Sequence, residues 1–189
     1  VDPTLVPAPT VVSNAALLSR LEKAAAAAGR GYRVEDHVEP RDLPWFRSRA
    51  ASLLVNEAWE ARNLWVKLLG LLDAKEKVPL LLALLADRTP APLFRRLLGG
   101  DYVQVGFVRR NAFAALARLG VVDAGVEEAL LAGLSDPYWE VRAEAARTAA
   151  RFAGLLGRRD EVVAALVAGL ADPNLEATAA AAEALGVLG

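Results

Sequence analysis

Residues 130–154 read LLAGLSDPYWEVRAEAARTAARFAG, and residues 166–189 read LVAGLADPNLEATAAAAEALGVLG. In each stretch an apolar segment runs into Asp-Pro and is followed by a second apolar segment. Val126, Leu130, Leu131 and Leu134 recur at helical spacing before the first Asp-Pro. Val162, Val163, Leu166, Val167 and Leu170 do so before the second. Asp136-Pro137 and Asp172-Pro173 predict the junction between paired helices, with Asp capping the second helix and Pro at its first position. The unit is helix, Asp-Pro turn, helix.

Working outward, the same second helix recurs four times when the chain is aligned on Ala61-Arg62, Val108-Arg109, Val141-Arg142 and Ala177-Thr178, spaced by 47, 33 and 36 residues. Four further columns then fall into register: Trp65/Ala112/Ala145/Ala181, Leu68/Ala115/Thr148/Ala184, Leu69/Leu116/Ala149/Leu185 and Leu72/Leu119/Phe152/Leu188. Within each copy they occupy one helical face, small near its start and bulky at its end. One such helix cannot bury its stripe alone, and stacked copies can.

LLAGLSDPYWEVRAEAARTAARFAG resembles a HEAT repeat of the bacterial type also found in phycobilin lyases, with its D-P-x-x-x-V-R core. Residues 166–189 are a second copy with Thr178 in place of Arg. LVNEAWEARNLWVKLLGLL (54–72) is a weaker copy with Asn56-Glu57 where the others have Asp-Pro. The copy containing FVRRNAFAALARLG (107–120) is read as having lost the turn motif. It has an insertion at about 88–106 with a short helix around Leu93 to Leu98. The resemblance covers Pro44 to Gly189. It implies an all-α fold, an α-solenoid of about four HEAT-like helical-hairpin repeats over residues 44–189. Before the array lie an extended Pro-containing arm over 1–12 and a helix and loop over 13–43. The final helix ends without a polar cap, so the natural protein is expected to continue.

Composition agrees with helices. Hydrophobic residues make up 54% of the 189 residues and aromatics only 6%, so the apolar content is mostly Ala, Leu and Val, which suits closely packed helices rather than strands. Up to Gly100 there are 14 Lys and Arg against 11 Asp and Glu, and from Asp101 onward 8 against 12, so neither half has the positive field of a nucleic-acid binder. The absence of cysteine removes disulfides, thiolate zinc sites and Cys nucleophiles. It leaves the compartment open, with the cytoplasm slightly favoured. No apolar run approaches the roughly 20 residues that span a bilayer. The Ala/Leu/Arg-rich, Met-free composition would suit a heat-stable protein.

Candidate sites fall into three groups. Arg62, Arg109 and Arg142 recur at one position and would form a row. An anion-binding ladder is one reading; the resemblance implies instead that they pair with turn carboxylates, here Asp136 or Asp172, to fix geometry. Trp59 and Trp139 share a repeat position, with Tyr138 adjacent, and an exposed aromatic cluster makes a binding hot spot. Phe94, Tyr102 and Phe107 would shape one edge of that surface through the insertion. Arg110, Arg118, Arg147 and Arg151 form a basic set on the second helices, interleaved with Glu140, Glu144 and Glu183. Some HEAT-like glycosylases hold DNA in a basic groove. The mixed charge here points to solvated faces instead, and nucleic acid is disfavoured.

Catalytic patterns are lacking. His37 is the only histidine, too few for the His-Glu ligands of di-iron HEAT hydroxylases, and there is no G-x-S-x-G elbow or phosphate loop. Glu127-Glu128 is read as an exposed pair serving solubility. The expectation is a non-catalytic protein-protein interaction scaffold, without cofactor or metal, that takes a protein partner on the concave face of its second helices. An accessory lyase, a glycosylase-type nucleic-acid binder and a structural module of a larger polypeptide are the alternatives.

Overall fold

The computed structural model describes residues 59–91, 93–97 and 105–189, together with Ser19, which is helical. The arm over 1–12, most of the segment 13–43, Asn56-Glu57 and Tyr102 lie outside the described residues.

The elements are helical throughout: α1 (Trp59–Leu71), a 3-10 turn (Lys75–Lys77), α2 (Val78–Leu84), α3 (Leu93–Arg96), α4 (Phe107–Leu119), α5 (Ala124–Gly133), α6 (Trp139–Arg151), α7 (Arg159–Gly169) and α8 (Leu175–Leu188). They form two layers. The second helices α1, α4, α6 and α8 pack side by side in chain order, and the first helices α2, α5 and α7 contact one another in the same order. Hairpin partners α2/α4, α5/α6 and α7/α8 join the layers. No described helix is long and apolar enough to cross a membrane.

The aligned columns are the core. Trp65, Ala112, Ala145 and Ala181 are buried, as are Leu68, Ala115, Thr148 and Ala184. Leu69, Leu116 and Ala149 are buried while Leu185 is only partly so, and Leu72, Leu119, Phe152 and Leu188 complete the stripe. The one polar member, Thr148, is satisfied by donating to the Glu144 carbonyl at 2.7 Å. Small residues permit the close approach. At Gly133 of α5, an added Cβ would lie 2.3 Å from the Phe113 ring of α4.

Sequence and structure differ at the turns. The N-caps of α6 and α8 are Tyr138 and Asn174, not the Asp residues, and the prolines precede the helices rather than opening them. Asn174 accepts from the Glu176 and Ala177 amides. Asp136 and Asp172 instead accept from the amide two residues on, at 2.8 Å in both turns. That Asx turn holds one carboxylate oxygen locally while both oxygens face the preceding repeat.

Glu127 is also not an exposed solubility residue. It is buried on α5, where its carboxylate accepts from the Gly157 and Arg158 amides at 2.5 and 3.0 Å, just ahead of α7. A negative charge beside the orphan amides of a helix start is favourable. At the end of the last helix the Arg159 guanidinium donates to the Leu188 carbonyl.

Candidate partner-binding face

The second helices α4 and α6 direct arginines two ways, and the two sets behave differently. One set faces the turns. Arg109 grips Asp136 of the next repeat through two bonds of 2.8 Å, Nε to Oδ2 and Nη2 to Oδ1, and donates from Nη1 to the Asp87 carbonyl at 2.6 Å. Arg142 repeats this, reaching Asp172 at 2.5 and 2.9 Å and the Asp136 carbonyl at 2.7 Å. Arg62 reaches Asp87 at 2.8 Å. Every arginine thus reaches forward one repeat, and Arg109 and Arg142 also hold the turn of their own hairpin. Thr178 keeps only the second task, bonding the Asp172 carbonyl at 3.1 Å.

Arg109 is 1% exposed and Asp136 6% exposed, so the pair is buried, bidentate and fully coordinated. The bond from Arg142 holds the Asp172 carboxyl below the usual aspartate range against the opposing effect of burial. At Asp87 burial pushes the other way, but the bonds from Arg62 and Thr89 outweigh it and the carboxyl is again lowered.

Asp87 corrects the reading that its repeat had lost the turn motif. Thr89 N bonds its Oδ1 at 2.9 Å, the same Asx turn seen at Asp136 and Asp172. The signal was present in the first helices: LLALLAD (81–87) matches LLAGLSD (130–136) and LVAGLAD (166–172). It was hidden because the insertion separates Asp87 from Arg109 by 22 residues, whereas Asp136 and Arg142 are 6 apart.

The other set lines the open face. Arg110 of α4, Trp139, Glu140 and Arg147 of α6, and Glu176 of α8 surround a concavity of about 270 Å³. Three candidate residues, Trp139, Arg110 and Arg147, are therefore brought together, and Glu140 and Glu176 join them. Arg110 pairs with Glu140, which also accepts from the Tyr138 hydroxyl at 3.0 Å. Arg147 is held loosely, 3.5 Å from Glu144 and 3.3 Å from Glu176, with 42% of its side chain exposed.

Beneath it, burial pushes the Glu144 carboxyl above its ordinary value, opposed by Arg147, Arg110 and Arg151. Burial, with help from the Arg110 charge, pulls the Lys67 ammonium below its own.

An aromatic row borders the concavity. Trp59 meets Phe107 at 5.7 Å, Phe107 meets Tyr138 edge-on at 6.0 Å, and Tyr138 meets Trp139 at 6.4 Å. Arg110 lies over Phe107 at 5.1 Å. Tyr138 is not a surface anchor: it is buried, filling the space above Gly106, where an added Cβ would fall 1.9 Å from its ring. Trp59 and Trp139 remain partly exposed. In the insertion, α3 leaves Leu93, Phe94 and Leu97 exposed.

Among the described residues no group of three or more His, Cys, Asp or Glu is placed to hold a metal ion. The concavity thus gathers guanidiniums, carboxylates and an indole from three neighbouring second helices, groups suited to bidentate hydrogen bonds, charge pairing and aromatic contact. Comparison with protein-family models and with curated proteins finds no match for this chain.

Proposed function

We propose that this chain is a HEAT-like α-solenoid of about four helical hairpins that acts as a non-catalytic scaffold, binding a protein partner on the open face of its second helices. The side-by-side packing of α1, α4, α6 and α8, and the forward-reaching Arg–Asp links between hairpins, support the solenoid reading. One observation carries the binding reading. The concavity spanning α4, α6 and α8 sets a partly exposed indole, Trp139, beside an arginine whose own ion pairs are long.

Such a site is cheap to open. Arg147 gives up little when a partner's groups replace Glu144 and Glu176, because exposed pairs at this distance contribute about 0–1 kcal/mol. Trp139 then supplies contact area at small conformational cost.

The test compares wild type with Trp139→Ala in pull-downs from source-cell lysate, read by mass spectrometry, with circular dichroism verifying that helicity is kept. A protein captured by wild type and lost from the variant supports the scaffold. Equal capture by both removes Trp139 from the site and the reading with it.

A further inference from the structure

The open face is electrically polar along the stack. On α6, Glu140, Glu144, Arg147 and Arg151 follow one another at intervals of four, three and four, and on α8 Glu176 and Glu183 are seven apart, so each set lies along a single helical stripe. Arg110 and Glu140 neutralise each other, and Arg147 is shared between Glu144 and Glu176.

What remains is segregated by helix. On α1 Glu60 and Lys67 cancel in charge, whereas Arg118 on α4 and Arg151 on α6 have no ion partner among the described residues. The two charged residues of α8, Glu176 and Glu183, are both acidic, and both are exposed. Uncompensated positive charge therefore lies on α4 and α6 and negative charge on α8, with Trp139 beside the boundary.

We infer that the partner presents an amphoteric segment to this face, its acidic part crossing α4 and α6 and its basic part meeting Glu176 and Glu183 on α8. This rests on the scaffold reading above and adds the chemistry of the partner and its direction along the stack.

A purely acidic segment would meet repulsion at α8, and a purely basic one at α4 and α6. Complementary potentials select register and exclude wrong partners more than they add affinity. The length follows from the helices. Two steps of 8–10 Å make about 16–20 Å, the reach of roughly five to six residues of extended chain.

Labelled peptides about ten residues long test this by fluorescence anisotropy on the full chain. The probes are an all-Glu peptide, an all-Lys peptide, a peptide with a Glu block and a Lys block around a central Leu, and the same composition with Glu and Lys alternating. The block peptide is expected to bind about tenfold more tightly than the alternating one, as several exposed ion pairs would give. Glu176→Lys with Glu183→Lys should transfer the preference to the all-Glu peptide.

The inference is overturned if the alternating peptide matches the block peptide, if a single-sign peptide binds wild type best, or if none binds. Should Trp139→Ala still abolish capture of the natural partner in that case, the amphoteric segment falls and the scaffold stands. If capture also survives Trp139→Ala, both fall.

Discussion

Arg109 and Arg110 are neighbours in sequence with opposite fates. Arg109 is buried, bidentate on Asp136 and bonded to a backbone carbonyl; Arg110 is partly exposed, paired with Glu140 and stacked on Phe107. Arg142 and Arg147 on α6 repeat the contrast, with bonds of 2.5 and 2.9 Å in one direction and 3.3 and 3.5 Å in the other. Adjacent residues on a helix point about 100° apart, so a single helix holds its neighbour with one arginine and turns the other to the open face. Residue type does not decide the role. Burial and the number of bonds do.

The contrast is broken most forcefully at Arg109. Arg109→Ala leaves Asp136 buried without its cation and is expected to destabilise by about 3–5 kcal/mol, read by urea unfolding. A loss no larger than that of Arg110→Ala would erase the distinction.

Next comes the packing between the two edges. Gly106→Ala drives a methyl group into the Tyr138 ring and is expected to cost about 1–3 kcal/mol. A thermal melt unchanged from wild type would show that the ring has somewhere else to go.

Acid sharpens the comparison on the structural side. Because Arg142 lowers the Asp172 pKa in the folded state, this contribution to stability is complete above the unfolded value of about 3.9 and is lost as pH falls through the folded value. The stability gap between wild type and Asp172→Asn should be full near pH 6, shrink below about pH 4 and close once Asp172 is protonated. A gap independent of pH would contradict the pairing.

The smallest effect belongs to the open face. Arg147→Ala is expected to change stability by less than about 0.5 kcal/mol. A loss comparable to Arg109→Ala would make Arg147 part of the framework.

Much of the framework was legible because it is local and repeated. The buried columns follow from helical period, and four copies sampled the same stripe, so Trp65, Leu116 and Phe152 could be placed in the core from spacing alone. What escaped notice depended on distant segments. Tyr138 looks like a surface aromatic until Gly106, 32 residues earlier, supplies the space that buries it. Glu127 looks solvated until the start of the next hairpin brings two amides to it. Asp87 was masked by an insertion that moved it away from its arginine. Of the site, Arg110, Trp139 and Arg147 were named from sequence, while Glu140 and Glu176 complete the concavity because α4, α6 and α8 align their first turns.

Arg109 also has a bearing on engineering. Its Nη1 donates to the carbonyls of Asp87, at 2.6 Å, and Val105, at 3.4 Å, and Val105 N bonds the Thr89 carbonyl at 2.9 Å. The two ends of the insertion are thereby clasped together at the base of the hairpin. That makes the segment a natural port for exchange: a foreign loop spliced between Thr89 and Val105 would inherit anchored ends, and the repeats on either side would keep their register.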